Sequence, residues 1–314
     1  MALSGATAYD VYVAHQDAAA NISNVLAGGF TTVASGTPPV LSGFTATPGS
    51  DIEADLSVAT DTASEGTLYW VIVPTAAAAP SAAQIKSGQN GSGGAATFSG
   101  STTVGASGAE IKMGTGLSAA TVYDAYATQE ITAGFSNVVT AEFTTDTLVL
   151  AVAINGTATG MSAGSSVFGT AQTDYLGGAN AISWTDNNAG GTGNVTAVTN
   201  TLSFFNGINK FSLKMKRVSG GPWMRIRPQN VTIGSEAWFD LQNSAIGTEG
   251  WIGTPTIRSI GNSWLQLRGS LDMTGADVSG IFTLWMGDNN GDVIVSLNGT
   301  NVYHIHDLRI TRVT

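Results

Sequence analysis

Tryptophan and arginine alternate with aliphatic residues along several short segments in the second half of the 314-residue sequence. In "PWMRIR", Trp223, Arg225 and Arg227 alternate with methionine and isoleucine. Successive side chains of a β-strand point to opposite faces, so this strand has one aliphatic face and one face of indole and guanidinium groups. Indoles stack on the apolar faces of pyranose rings, and guanidinium groups donate hydrogen bonds in a fixed geometry. The pattern predicts a saccharide-binding face.

Two further segments repeat the alternation. "AWFDL" sets Trp238 and Asp240 against phenylalanine and leucine, and "WLQLR" sets Trp264, Gln266 and Arg268 against two leucines. If the three strands are neighbours, their polar faces form one platform. The alternative is that the tryptophans point into the core with the arginine stems along them, because parity does not identify the inner face. The predicted saccharide-binding residues are Trp223, Arg225, Arg227, Trp238, Asp240, Trp264, Gln266 and Arg268.

Two other groups of residues have metal-ligand spacing. In "GDNNGD", Asp288, Asn290 and Asp292 are spaced like the start of a calcium loop, but Gly299 stands at the twelfth position, where such a loop has glutamate. We interpret this segment as a polar turn. In "YHIHD", His304 and His306 share a face of a strand, without a clear third zinc ligand. A surface or interface pair is the preferred interpretation, and we expect no metal site.

Enzyme chemistry finds little support in the residues. The sequence has no cysteine and only three histidines. A glycan depolymerase needs a pair of carboxylates about 5 to 9.5 Å apart, and a β-helix depolymerase needs a long repeating stack, which the sequence lacks. We therefore expect neither catalysis nor a cofactor.

Glycine, serine, threonine and alanine are frequent, and no helical apolar period persists, which indicates many short strands joined by turns. The longest apolar run, residues 148–154, is too short to cross a bilayer, so no membrane insertion is expected.

Residues 1–147 have a formal charge of −10, while residues 148–314 are neutral. An acidic surface repels phosphate backbones, which argues against nucleic acid as a partner.

An internal repeat defines the first half. "GLSAATVYDAYATQEITAGFSNVVTAEFTT", residues 116–145, repeats the series of residues 2–32, with Tyr123 and Phe143 matching Tyr9 and Phe30. "GLSAATVYDAYA" resembles the tyrosine corner of fibronectin type III domains, in which the tyrosine hydroxyl ties the loop to the backbone. The resemblance implies a partial fibronectin III-like unit at residues 1–36, with its last strands only, and a complete immunoglobulin-like or fibronectin III-like sandwich at 37–147.

The second half contains consecutive strand patterns from residue 204 onward, typical of a jelly-roll β-sandwich at residues 148–314, while residues 155–200 read as loops around Trp184. "FSLKMK", "AWFDL", "SIGNSWLQLRGSL" and "NVYHIHDLRI" resemble jelly-roll domains, related to carbohydrate-binding modules, at the ends of bacteriophage tail and head fibre proteins. The expected fold class is thus all-β.

The resemblance implies a virion fibre or spike protein that attaches to a bacterial surface polysaccharide, with a homotrimer as the expected assembly. A purely structural virion joint or decoration subunit is the alternative, and a bacterial surface adhesin is a third candidate. Residues 1–33 hold a last pair of strands without a sheet of its own, and an isolated hairpin is marginal in water. We expect other virion proteins to complete it, or the hairpin to pack on the following domain.

Overall fold

The computed structural model describes residues 8–31, 36–152, 161–204, 206–229, 236–249, 255–273 and 278–313. The chain divides into two compact units: residues 1–46, 56–114 and 124–142, and residues 47–55, 115–123 and 143–314. Strands hold 60% of the residues and helix 2%, which confirms the all-β prediction. The predicted domain boundaries at 36/37 and 147/148 stay predictions, and residues 1–7 and 32–35 of the predicted partial unit lie outside the described ranges.

The first ten strands and one short helix lie within residues 8–144. They are β1 (Ala8–Val13), β2 (Leu26–Thr31), β3 (Leu41–Pro48), β4 (Ala54–Thr60), β5 (Thr67–Pro74), α1 (Ala82–Lys86), β6 (Phe98–Thr103), β7 (Ala109–Gly114), β8 (Val122–Ile131), β9 (Gly134–Phe135) and β10 (Val139–Thr144). Their sheets have the orders β1-β2, β3-β4-β7 and β10-β8-β5-β6, and β9 pairs with β8.

The sheet of β3, β4 and β7 and the sheet of β5 and β8 pack closely. A Cβ atom added to Gly114 of β7 would lie 2.2 Å from Cδ1 of Ile72 in β5, so the two sheets are in close contact there. The β-branched residues of β5 favour a strand, and Val71, Ile72 and Val73 are fully buried. The two sheets therefore form a β-sandwich.

The tyrosine corner predicted from the sequence is present. The Tyr123 hydroxyl accepts a hydrogen bond from the backbone N–H of Ser118 at 3.0 Å. Helix α1 is short, and its first turn is stabilised by side chains. Ser81 and Gln84 form a capping box, in which each side chain accepts from the other residue's backbone N–H.

The remaining sixteen strands lie between residues 147 and 312. They are β11 (Thr147–Val152), β12 (Met161–Gly164), β13 (Ser166–Gln172), β14 (Ala181–Asp186), β15 (Thr192–Asn194), β16 (Thr196–Thr199), β17 (Leu202–Phe204), β18 (Ile208–Ser219), β19 (Trp223–Gln229), β20 (Ala237–Asp240), β21 (Ala245–Glu249), β22 (Thr256–Gly261), β23 (Trp264–Asp272), β24 (Val278–Gly287), β25 (Ile294–Ser296) and β26 (Val302–Arg312).

Two seven-stranded sheets dominate the second unit. One has the order β13-β14-β26-β18-β23-β22 with β11 beside β26, and the other has the order β12-β16-β24-β19-β20-β21 with β17 beside β24. The aromatic ring of Phe211 in β18 lies with its centroid 6.4 Å from that of Phe239 in β20 and 5.4 Å from that of Phe282 in β24. The two sheets thus enclose one core and form a β-sandwich, as the sequence predicts.

The segment 155–200 differs from the sequence interpretation. Its described residues, 161–200, form five short strands, β12 to β16, rather than loops. Residues 153–160 lie outside the described ranges. This segment is rich in threonine, alanine and glycine. Strands of such small residues bury mainly backbone and little side chain, so the sequence shows no alternation of apolar and polar residues there. Among the helices that the structure describes, none is long and apolar enough to span a membrane.

Candidate functional site

The strand β19 presents its tryptophan and arginine side chains away from the core. Met224 and Ile226 are fully buried in the core cluster of the second unit, whereas Trp223, Arg225 and Arg227 on the opposite face are partly exposed. Parity left the inner face open, and the structure places these three residues on the outer side of their sheet. We call this surface the β19 face, and its residues are Trp223, Arg225, Arg227, Trp238, Thr283 and Trp285.

The guanidinium of Arg225 occupies the centre of the β19 face. Its Cζ atom lies 4.7 Å from the ring centroid of Trp285 and 5.8 Å from that of Trp238, which are cation–π distances. Glu236 accepts from Nε of Arg225 at 2.9 Å and from Nε1 of Trp238 at 3.1 Å. Trp238 is only 1% exposed and Trp285 only 7%. Neither indole thus offers an open ring to a ligand.

Trp223 is the accessible indole at one end of the face. A Cβ atom added to Gly247 would lie 2.5 Å from Cζ3 of Trp223 and 2.6 Å from Oδ1 of Asn290, so the ring lies against β21 beside that amide. Asn290 itself exchanges hydrogen bonds with Thr248, at 3.0 Å each. An indole flanked by amide and hydroxyl groups can stack on a sugar ring and meet its hydroxyls.

Arg227 lies opposite Thr283 of β24 in the strand register. Nε of Arg227 and Oγ1 of Thr283 are both buried, and neither has a hydrogen-bond partner among the described residues. Buried polar atoms are normally paired, and leaving one unpaired costs about 1–3 kcal/mol. This donor and this hydroxyl lie on the same face of the sheet as Trp223.

Three acids lie in or directly beside the strands that carry the β19 face: Glu236, Asp240 and Asp288. Burial alone would raise the pKa of Glu236, but the hydrogen bonds from Arg225 and Trp238 outweigh it, so the pKa is lowered and the carboxylate stays charged. Burial, with a smaller effect of Asp292, raises the pKa of Asp288. Asp240 accepts from the backbone N–H groups of Gln242 and Asn243 and thus closes the turn after β20.

Trp264, Gln266 and Arg268 lie on β23, in the other seven-stranded sheet. The single platform predicted from the sequence is therefore two separate faces, because β23 pairs with β18 and β22 and not with β19 or β20. We call the second surface the β23 face. Its residues are Ser212, Lys214, Trp264, Gln266 and Arg268, and they also point away from the core.

The segment 47–55 covers the β23 face. Glu53 accepts from Nε2 of Gln266 at 2.7 Å and pairs with Arg268 at 2.9 Å and with Lys214 at 2.8 Å. Asp55 pairs with Arg268 as well. Gln266 has no exposed surface, and the side chains of Glu53 and Lys214 are each 1% exposed. The amide and cations of this face are thus already bound to carboxylates of the chain itself.

The ion pairs of the β23 face continue into β26. Lys214 also pairs with Asp307 at 2.6 Å, and Arg309 bridges Asp307 and Asp51 at 2.7 and 2.8 Å. Burial would raise the pKa of Glu53, but Lys214 and Arg268 outweigh it and lower the pKa to about 2. Sequence reasoning missed Glu53, Asp55 and Lys214, because their partners lie far away in the chain.

Trp264 is 1% exposed, with its ring centroid 6.5 and 6.4 Å from those of His304 and His306. The two histidines are thus packed against an indole, and burial lowers the pKa of each.

Among the described residues, no group of three or more histidine, aspartate or glutamate side chains could hold a metal ion. Asn289 and Asp292 form an isolated bridge, and Asp292 accepts from the backbone N–H of Ile294, as in a polar turn.

No protein-family model matches the chain, and no characterised protein matches it in sequence. The solved structures that are similar to parts of it include the following two. FN3tt is 23% identical over 35% of this chain and 98% of its own, with a TM-score of 0.25. The C-terminal CBM6 of LamC, a marine laminarinase from Zobellia galactanivorans, is 12% identical over 52% of this chain and 98% of its own, with a TM-score of 0.27. Both TM-scores are low, so the fold is assigned from the sheets themselves.

Proposed function

We propose that the chain is an adhesive structural protein of a virion fibre, and that the β19 face binds a bacterial surface polysaccharide. The observation that carries the proposal is the outward position of Trp223, Arg225 and Arg227 on one strand, within reach of solvent. A partly exposed indole supplies a stacking surface, and Arg227 and the Asn290 amide supply hydrogen-bond donors for hydroxyls. The fibre assignment rests on the sequence resemblance of the strand motifs.

The β19 face is shallow, which affects the expected affinity. A sugar gives up well-hydrated hydroxyls for each contact, so a single face binds weakly. Adhesion then requires several copies on one particle, and the proposed homotrimer supplies three. The proposal therefore predicts weak binding by monomers and strong binding by the assembled particle.

The test is binding of the full chain to immobilised bacterial polysaccharides, compared between the native sequence and Trp223→Ala. The variant loses the stacking surface, and we expect a loss of binding of up to about tenfold, since one aromatic contact contributes roughly 0.5–1.5 kcal/mol. Leu176→Ala is the matched control, because Leu176 is an exposed apolar residue of the second unit far from the motif in sequence. It should bind as the native chain does.

A second variant keeps the proposal falsifiable if Trp223→Ala is unstable. Arg227→Lys keeps the charge but removes the buried Nε donor and the planar guanidinium. We expect it to fold and to bind several-fold more weakly. Equal binding by the native chain, Trp223→Ala and Arg227→Lys would contradict the proposal.

The covered β23 face supports a second candidate, a purely structural virion joint. Three of the eight predicted saccharide-binding residues, Trp264, Gln266 and Arg268, contribute there to packing and ion pairs within the chain. If no polysaccharide binds and the variants at Trp223 impair particle assembly, the structural joint is the better assignment.

A further inference from the structure

The hairpin of β1 and β2 has the geometry of the last two strands of the complete repeat. The Tyr9 and Phe30 rings stack with centroids 5.8 Å apart and an interplanar angle of 25°, and the Tyr123 and Phe143 rings of β8 and β10 have the same two values. The sequence repeat is therefore also a structural repeat. Residues of the hairpin can be compared one by one with their equivalents in a finished sandwich.

The comparison shows an uncovered core face. Residues that pair across two antiparallel strands lie on the same face of the hairpin. By this register, Val11 and Val13 of β1 share a face with Leu26 and Phe30 of β2. Val13 is 59% exposed, whereas its equivalent Ala127 is 1% exposed; Phe30 is 44% exposed, against 6% for Phe143. The residues at these positions are apolar in both copies. They are exposed to water in the hairpin and buried in the complete repeat.

The sheet edge differs in the same way. Strand β8 has β10 on one side and β5 on the other, while β1 pairs with β2 in a sheet of two strands as far as the structure describes the chain. A strand with an apolar face and an open edge is suited to strand addition. In the complete repeat, β5 lies along the edge of the equivalent strand. A sheet like β3-β4-β7 lies over the equivalent face.

We propose that the β1–β2 hairpin is a joint that a partner segment completes by supplying strands equivalent to β3–β7. The partner is thus the front part of a fibronectin III-like sandwich that lacks its own last two strands. Its β5-like strand pairs with the edge of β1, and its second sheet covers Val11, Val13, Leu26 and Phe30. The hairpin and the partner segment would then fold together into one sandwich and so be linked.

The test uses the full chain and, as probe, a separate polypeptide of residues 37–116, which carries β3–β7. Hydrogen exchange is measured at the amides of residues 11–13, with and without the probe. We expect fast exchange in the monomeric chain and at least about tenfold slower exchange with saturating probe, because the added strand protects the edge amides.

The substitution Val13→Asp places a charge on the face to be buried and should weaken probe binding by at least about tenfold. Ala27→Asp is the matched control. It adds the same charge on the other face, at the equivalent of Thr140, which is exposed in the complete repeat. It should bind the probe as the native hairpin does.

Four results would overturn the proposal. Slow exchange at residues 11–13 in the monomer would show that the hairpin needs no partner. Protection that appears only as the chain itself dimerises would assign the face to a second copy. Unchanged exchange with the probe, or equal loss of probe binding in Val13→Asp and Ala27→Asp, would show that strands of this type do not complete it.

Discussion

The two outer faces of the second unit have the same sequence pattern and different surroundings. On both, tryptophan alternates with arginine or glutamine, and aliphatic residues point into the core. On the β23 face, Glu53 and Asp55 bind the polar groups and leave Gln266 without exposed surface. On the β19 face, Trp223 and Arg227 stay partly exposed. An indole and guanidinium pattern thus identifies an outer face, and what covers that face decides whether it is available to a ligand.

The largest expected effect is on the covered face. Glu53→Gln removes the buried carboxylate that Lys214 and Arg268 share, which leaves them only Asp307 and Asp55, and removing one partner of a buried ion pair costs about 3–5 kcal/mol. Denaturant unfolding followed by tryptophan fluorescence measures it, since six of the seven tryptophans lie after residue 147. Asp55→Asn is the control: its side chain is 32% exposed, and we expect a loss of about 1 kcal/mol or less. Equal losses would contradict the importance of burial here.

The same carboxylate gives the covered face a pH dependence. The pKa of Glu53 lies at about 2 in the folded chain against 4.5 for an unperturbed glutamate. A lowered folded-state pKa contributes stability that is present above the unfolded value and is lost as the pH falls through the folded value. The native chain should therefore lose stability between about pH 4.5 and 2 more steeply than Glu53→Gln. Parallel curves for the two would show that Glu53 does not carry this dependence.

Removing one indole from each face sharpens the comparison. Trp264→Ala removes a side chain that is 1% exposed and should cost about 3 kcal/mol or more, because a cavity remains. Trp223→Ala removes a partly exposed ring and should cost about 1 kcal/mol. Thermal unfolding of both variants gives the order. A larger loss for Trp223→Ala would mean that its ring is structural.

A smaller effect concerns the arginine between two indoles. Glu236→Gln replaces the carboxylate that accepts from Arg225 and Trp238, and we expect a loss of about 1–2 kcal/mol. Arg225 would then be free to leave the indoles, so Trp238 fluorescence should become more accessible to a soluble quencher. Unchanged quenching would indicate that stacking on Trp285 alone holds the guanidinium.

The smallest expected effect is that of a chelator. If Asp288, Asn290 and Asp292 form only a turn, calcium removal leaves the melting temperature unchanged. A cation that bound only the folded state would stabilise it in proportion to the logarithm of its concentration over its dissociation constant. A drop in melting temperature with chelator, reversed by added calcium, would refute the turn interpretation.

The sequence was sufficient for features that depend on local alternation. It predicts that Met224 and Ile226 share one face of a strand, the all-β fold and the Tyr123 corner, because strand periodicity and a short loop determine them. The helix α1 was within reach as well, since Ser81 and Gln84 have capping-box spacing.

The covering of the two faces was not predictable. Glu53 meets Gln266 across 213 residues of sequence, and parity contains no information about which distant segment covers a face. Strand order has the same limit: β19 and β23 look equivalent in sequence but lie in different sheets. The sequence therefore suggested a single platform for residues that the fold places in two different sheets.

The measurement that tests the central claim most directly is adhesion of assembled particles that carry Trp223→Ala, compared with particles that carry Leu176→Ala. The account predicts that both variants fold and assemble, that Leu176→Ala particles adhere to host cells and bind the purified surface polysaccharide, and that Trp223→Ala particles lose both. Native adhesion by folded and assembled Trp223→Ala particles would contradict saccharide binding at the β19 face.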